Sequence, residues 1–418
     1  SDVDPDMGYV LSNVRVGVLP NGRWVAIFGN GFGSTGGTAG ASRAALFVVD
    51  IEDAASSNAT VRAGAIHKTI LDPAVFGNGL GGVTVIHDAT TGRTNTIYVG
   101  DLKGKLWKLN YMAGTGVPVP SAPLFQADGG AAFFTATDSF GVAQPITSSP
   151  AVFQGPKNNG YIVTFGTGQL FSSSDAADTS PQTVYSIWDK TAGITPLPET
   201  VSRPMSRSNL IARTLTSYAG AGASAGTTFY SVTGAAVDYT STQRGWYIDL
   251  SASIVGGRVI YPTQVLGYST VFVSSVAPVQ GTPAACDSAS GSGLNLILPV
   301  DSGTNTIGGT FDTNGDGVVN GSDPVAGGYS TKADGGDVSV SSRGVNGGNP
   351  LADTGGGGPV GDCTGDACAK NKCVPDPYCG PKKCLVVIES AGGSLKSCRN
   401  EFPDGTRVWR RIINPPIR

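Results

Sequence analysis

Histidine, methionine and charged residues are scarce in this chain. Its 418 residues include two His and three Met, and charged residues make up 14%. The formal net charge is −3 and the 28 Lys and Arg residues are spread out, which argues against nucleic acid as a partner. No apolar run is long enough for a transmembrane helix. The sequence opens at Ser1 without Met or a signal peptide, as a processed or truncated chain would.

Glycine and proline, in contrast, are abundant. The chain contains 61 Gly and 26 Pro, and 40% of its residues are hydrophobic, which is typical of many short strands joined by tight turns. Strands are predicted in runs such as 24–29, 45–50 and 82–87. Residues 96–109 predict two strands that meet at a turn over 101–104. The chain is therefore predicted to be all-β.

The repeated strand pattern resembles the blades of a β-propeller. Blades bury their faces on neighbouring blades, which explains why the apolar runs lack clean alternation. Four tryptophans are predicted to pack between blades: Trp107, Trp188, Trp246 and Trp409. Long insertions are expected near 112–145, 190–225 and 326–380. Residues 1–418 are treated as one domain, with a Gly/Cys-rich insertion over about 326–383 and closing strands over about 384–413.

Residues 312–323 have the pattern of a calcium-binding loop. An EF-hand-type loop supplies oxygen ligands from positions 1, 3, 5, 7, 9 and 12, with glycine at position 6. These positions hold Asp312, Asn314, Asp316, Val318 (through its backbone carbonyl), Asn320 and Asp323. Gly317 occupies position 6. The loop has three aspartates and no basic residue, so it carries a net charge of −3.

Position 12 departs from the usual pattern, because Asp323 stands where a bidentate Glu is common. The shorter side chain predicts a weaker site, with an affinity on the order of 10⁻⁶–10⁻³ M. The flanking residues do not look helical, so the loop is predicted to lie between β elements. An acidic turn without a cation is the structural alternative.

Six of the seven cysteines lie close together near the C-terminus: Cys363, Cys368, Cys373, Cys379, Cys384 and Cys398. Their spacing misses the CxxC pattern of zinc sites, and neither histidine is nearby. A disulfide-stapled segment in an oxidising compartment is the favoured interpretation. Cys286 makes the count odd, and the connectivity cannot be read from the sequence.

Catalytic motifs are weak. Residues 222–226 match the nucleophile elbow of α/β-hydrolases, but His67 and His87 both precede it, against the order of that class. Neither histidine has metal-ligand neighbours at a suitable spacing. Alternating Asp2, Asp4 and Asp6 form only a partial second calcium loop. No acid, base and nucleophile assemble, so a non-enzymatic protein is predicted, with no catalytic or organic-cofactor residues.

Three segments together resemble one family. They are 6–30, which contains Pro20-Asn-Gly-Arg-Trp, 98–110, which contains Tyr98-Val-Gly-Asp-Leu, and the loop 312–323. They occur in the order found in the PilC/PilY family of type IV pilus tip-associated adhesins, and the resemblance covers about 6–325. It implies a modified seven-bladed propeller whose calcium loop affects pilus extension and retraction. The segment 406–411 is similar to the family's last strand, which closes the propeller.

The resemblance also implies a location and partners. It places the protein at the cell surface, the pilus tip or the outer membrane of a Gram-negative bacterium. The implied partners are minor pilins or a pilus-tip complex, and a host-cell or abiotic surface. The family's calcium ligands carry over onto the loop residues Asp312, Asn314, Asp316, Val318 and Asp323, with Asn320 direct or water-mediated.

Two other functions stay open at this point. A calcium-dependent glycan-binding propeller would need an exposed aromatic side chain beside the loop, where Phe311 and Tyr329 are the nearby candidates. A quinoprotein-like dehydrogenase is also a propeller that holds calcium. It often carries adjacent cysteines, and this sequence has no such pair.

Overall fold

The computed structural model describes residues 4–33, 42–112, 121–193, 196–266, 269–277, 293–305 and 311–331, together with the backbone of three later strands. The protein is built mainly of β-strands, as predicted. Three short α-helices occur in the described ranges: α1 (Ile51–Ala54), α2 (Ala59–Gly64) and α3 (Ser173–Ala177). None of the helices found there has the length and apolarity that a bilayer-crossing segment needs.

The first sheet has four antiparallel strands in chain order. They are β1 (Arg15–Val18), β2 (Trp24–Gly29), β3 (Ala44–Asp50) and β4 (Ile66–Leu71). Burial alternates along β2, where Val25 and Ile27 are fully buried and Trp24 is half exposed. One face of this sheet therefore packs into the protein.

The second sheet follows the predicted two-strand pattern. Its strands are β5 (Leu80–His87), β6 (Thr94–Asp101), β7 (Lys105–Tyr111), β8 (Phe125–Ala127) and β9 (Phe134–Thr135). The predicted turn between β6 and β7 is confirmed. Buried Asp101 accepts the backbone N–H groups of Lys103 and Lys105, and Gly104 has a φ of 77°. The Asp101 carboxylate thus accepts backbone N–H groups that have no strand partner at the turn.

The first two sheets each form one blade-like unit, and the third and fourth units share one ten-stranded sheet. Its strands are β10 (Ala151–Gln154), β11 (Tyr161–Gly166), β12 (Thr183–Asp189), β13 (Ile211–Ala219), β14 (Thr228–Thr233), β15 (Gly245–Asp249), β16 (Gln264–Leu266), β17 (Thr270–Ser274), β18 (Gly293–Pro299) and β19 (Gly328–Thr331). Strand β13 joins the two units. Its residues 211–213 run parallel to β15, and its residues 214–219 pair antiparallel with β14.

The four units stack through three hydrophobic clusters. Val25 and Leu80 belong to the cluster between the first two sheets, and Tyr98 and Phe165 to the next. The cluster between the third and fourth units contains Trp246. Trp107, Trp188 and Trp246 are at most 6% exposed, which confirms the predicted packing for these three. Trp409 lies outside the described residues.

The described sheets stack face to face as propeller blades do. The seven-blade count stays a prediction, because beyond residue 331 the structure describes only the backbone of three strands. These are β20 (Ser339–Gly344), β21 (Lys383–Ile388) and β22 (Ser394–Arg399), which form a separate antiparallel sheet. The register places Cys384 opposite Cys398. The closing segment 406–411 and the other five cysteines lie outside the described residues.

All three expected insertions include strands of the sheets, and the segment near 112–145 contains β8 and β9. The segment 190–225 contains β13, which carries one of the sheet's joints. The insertion near 326–380 was expected to project from the core, but Ala326 and Tyr329 are fully buried and β19 pairs with β14 and β18.

Candidate calcium site

The acidic loop 312–323 is anchored at both ends in the fourth unit. Phe311 just before it and Ala326 just after it are at most 1% exposed. They belong to a separate aromatic cluster on this unit with Phe229, Phe272, Ile297 and Tyr329. The loop therefore lies between β18 and β19, and no helix occurs in the described flanking residues 301–305 and 324–327. Residues 306–310 lie outside the described residues.

Asp312 organises the first half of the loop. Its Oδ1 accepts the N–H groups of Gly315 (2.7 Å) and Asp316 (3.2 Å), and its Oδ2 accepts that of Gly317 (2.8 Å). Gly315 and Gly317 have φ values of 73° and 87°. This left-handed backbone is accessible to glycine without strain and turns the N–H groups toward the carboxylate.

The remaining side chains of the loop make short-range turns of the same kind. Asn314 Oδ1 accepts the N–H of Asp316 (2.9 Å), and Asp316 Oδ1 accepts that of Val318 (2.8 Å). Asn320 Oδ1 accepts the N–H of Ser322 (2.7 Å). Every predicted side-chain ligand of this group thus points an oxygen into the loop rather than away from it.

Asp323 closes the loop and is its most buried acid, with 5% exposure. Its Oδ1 accepts the N–H groups of Thr313 (2.8 Å) and Asn314 (3.2 Å), and its Oδ2 accepts that of Asn320 (2.9 Å). Burial raises the pKa of this carboxyl, but the backbone hydrogen bonds outweigh burial and lower the pKa overall. Asp323 is therefore held as a carboxylate.

The loop offers only oxygen donors, the ligand type that calcium prefers. Its acids have no basic partner, because the ion pairs found among the described residues do not include Asp312, Asp316 or Asp323. Their oxygens face backbone N–H groups instead. Within the described ranges, no three His, Cys, Asp or Glu side chains stand together as a metal cluster. The residues fit calcium by donor type and order, and coordination would require the three carboxylates to converge.

The tract 220–226, which matched the nucleophile elbow, lies against this loop. Ser224 Oγ donates to the carbonyl of Asp312 (2.7 Å), and the Ala221 N–H donates to that of Thr313 (3.0 Å). The 3-10 turn Gly222–Ser224 belongs to the tract. Sequence analysis missed this contact because the motif pointed to catalysis. The only available signal was an unusual density of small residues.

The aromatic residues beside the loop do not form an exposed platform. Phe311 and Tyr329 are buried, and half-buried Tyr218 donates its hydroxyl to the carbonyl of Pro324 (2.9 Å). The stacking surface that a glycan-binding site needs is not formed by these three residues. His67 Nδ1 lies 2.7 Å from the Ala122 carbonyl, a structural contact.

The second acidic cluster is neutralised by side chains. Asp6 is 1% exposed and forms ion pairs with Arg43 (2.7 Å) and Lys68 (2.7 Å), and Asp4 also pairs with Lys68 (2.6 Å). Burial raises the pKa of Asp6, but the hydrogen bonds from Arg43 and Lys68 lower it to about 2. Because Arg43 and Lys68 neutralise the two carboxylates, this cluster does not require a bound cation.

Comparison with known proteins identifies the family. The family model of the PilY1 beta-propeller domain matches residues 1–232, more than half of the 418 residues. The chain belongs to this family. The crystal structure of the Pseudomonas aeruginosa PilY1 C-terminal domain is similar, with a TM-score of 0.65 and 26% sequence identity. That match covers 94% of this chain and 74% of the crystal chain.

Curated relatives carry names from the pilus system. The type IV pilus biogenesis factor PilY1 of Pseudomonas aeruginosa strain PAO1 is 31% identical over 305 residues, which is 66% of this chain. A PilY1 homolog from Xylella fastidiosa is 35% identical over 202 residues, or 45% of this chain and 12% of the homolog. The chain matches only 24% of the length of the Pseudomonas protein, so activities of the whole relative do not transfer automatically.

Proposed function

We propose that this chain is a non-catalytic β-propeller module of a type IV pilus biogenesis factor. The observation that supports this most strongly is its membership of the PilY1 beta-propeller domain family, together with the names of its relatives. The proposed location is the surface of a Gram-negative bacterium, at the pilus tip or outer membrane. Minor pilins or a pilus-tip complex are the proposed partners, and a host-cell or abiotic surface is a further one.

We further propose that the loop 312–323 binds one calcium ion. Asp312, Asp316 and Asp323 supply the carboxylates, Asn314 and Asn320 the amide oxygens, and Val318 its backbone carbonyl. The donor order supports this assignment, as does the lack of an ion pair to these three acids among the described residues. A bound calcium supplies the positive charge that these acids lack.

The loop geometry suggests how the residues respond. Asp312 and Asp323 already hold the backbone of the loop through six N–H groups in all. Asp316 has the fewest hydrogen bonds of the three acids, because among the described residues its carboxylate accepts from the Val318 N–H and the Asn314 amide alone. Convergence of these acids would stiffen an exposed surface next to the fourth unit. We propose that this surface meets the pilus machinery and thereby modulates extension and retraction.

Calorimetric titration with calcium tests the metal proposal. The wild-type chain should bind one ion with a Kd on the order of 10⁻⁶–10⁻³ M, and Asp316→Ala should not bind at these concentrations. Asp301→Ala serves as the control, because it removes an exposed acid outside the loop. Equal affinities for the wild type and Asp316→Ala would overturn the ligand assignment.

The pilus proposal needs a separate measurement. Purified minor-pilin complex should bind immobilised chain, and chelator or Asp316→Ala should weaken that binding. Binding that ignores both changes would leave a pilus module whose calcium loop is not regulatory. No binding to the complex in either state would count against the proposed partner.

A further inference from the structure

The turn 220–226, between β13 and β14, contacts backbone carbonyls of the acidic loop. Three donors of the turn reach carbonyls of the loop: the Ala221 N–H bonds Thr313, the Ala223 N–H bonds Gly315 (3.4 Å), and Ser224 Oγ bonds Asp312. These carbonyls belong to positions 1, 2 and 4 of the loop. The turn therefore fixes the first half of the loop, where Asp312 and Asn314 stand.

Glycine at two positions makes this contact possible. A Cβ at Gly222 would lie 2.5 Å from the Asn314 carbonyl oxygen, and a Cβ at Gly315 would lie 2.2 Å from the Ala223 nitrogen. Both distances are too short for a carbon atom, and both opposing atoms are backbone. Any side chain at either glycine must therefore push the two segments apart.

The turn is also connected to the joint between the third and fourth units. It follows directly on β13, which pairs with β15 of the third unit at one end and with β14 of the fourth unit at the other. Tyr218, near the end of β13, adds a bond to the Pro324 carbonyl on the far side of the acidic loop (2.9 Å). The strand that joins the units thus ends in contacts to both sides of the loop.

We infer that the turn 220–226 is a positioning element for the calcium loop. Ala221 and Ser224 hydrogen-bond the loop backbone that carries the first ligands, and Gly222 allows the close approach. Together they hold that backbone in place for coordination. The inference rests on the proposed calcium function. Since binding free energies are reciprocal, ordering of the loop by a cation must in turn stabilise the turn and the end of β13.

A matched pair of glycine variants tests this. Gly222 and Gly226 both have positive φ, 53° and 92°, so alanine strains the backbone at each. Only Gly222 faces the loop, because a Cβ at Gly226 meets nothing within 4 Å. In calorimetry, Gly222→Ala should weaken calcium binding by about tenfold, whereas Gly226→Ala should stay within about twofold of the wild type.

A second pair separates positioning from general destabilisation. Ser224→Ala removes the hydroxyl that donates to Asp312 and should lower calcium affinity, and Ser224→Thr, which keeps a hydroxyl, should restore most of it. Melting curves in chelator should be the same for both serine variants. Equal calcium affinities for Gly222→Ala and Gly226→Ala would overturn the positioning role while calcium binding stands. A wild-type chain that takes up no calcium would overturn both proposals.

Discussion

The two acidic regions of this protein solve the same electrostatic problem differently. Asp6 is buried and is neutralised by Arg43 and Lys68, which lie 37 and 62 residues away from it in the sequence. Among the described residues, the carboxylates of Asp312 and Asp323 accept hydrogen bonds from their own loop alone, from backbone N–H groups and the Thr313 hydroxyl. N–H dipoles orient a carboxylate without cancelling its charge. The first region therefore works as a staple within the fold, and the second keeps an unmatched charge that a cation can neutralise.

The largest expected loss of stability follows from removing the buried carboxylate of Asp6. Asp6→Ala removes the carboxylate that pairs with Arg43 and leaves Lys68 with Asp4 alone, and it should destabilise the protein by about 3 kcal/mol in denaturant unfolding. Asp4→Ala is the control, because Asp4 is more exposed and pairs only with Lys68 among these bases. If both variants lost the same stability, the staple would not depend on the buried carboxylate.

Deleting the closing acid of the loop should come next. Without calcium, Asp323→Ala strands three backbone N–H groups and should cost about 1–3 kcal/mol. Unfolding in chelator gives this value directly. An unchanged stability would mean that Asp323 does not hold the loop closed.

Acid titration should test the first region through a smaller change in stability. The folded-state pKa of Asp6 is about 2, below the ordinary value of 3.8. Its contribution is therefore complete above the ordinary value and is lost as the pH falls toward 2. Asp6→Asn should flatten the stability profile in this window relative to the wild type. Parallel profiles would contradict the ion-pair account of Asp6.

The smallest effect is expected at Asp316. In chelator, Asp316→Ala should change stability by no more than about 0.5 kcal/mol, because its contacts lie at the surface. With calcium present, the wild type should gain stability that this variant does not gain. A large loss in chelator would show that Asp316 is a structural residue.

How much the sequence could predict depends on how far apart the contacting residues lie. All predicted ligands of the acidic loop fall within 12 residues, so turn chemistry alone places Asp312, Gly317 and Asp323. The turn between β6 and β7 was predicted correctly from residues 96–109, whereas the ligand roles in the acidic loop stay a prediction. Both the loop and the turn follow from the spacing of residues that are close together in the sequence.

Contacts between distant segments could not be read in this way. Ser224 and Asp312 are 88 residues apart, and the glycines of 220–226 gave no sign of which backbone they approach. Strand β13 was placed in an insertion although burial alternates along 211–216, because the charged Arg213 stands at a buried position and interrupts the apolar face that the sequence would otherwise show. Its pairing is decided by the neighbouring strands.

Hydrogen exchange with and without calcium tests the central claim most directly. The account predicts that amides of 313–323, which Asp312 and Asp323 hold, gain protection when calcium is added. Amides near Asp6 should exchange at the same rate in both conditions, since Arg43 and Lys68 already neutralise that site. No added protection in the loop, or equal protection in both regions, would contradict the proposed difference between them.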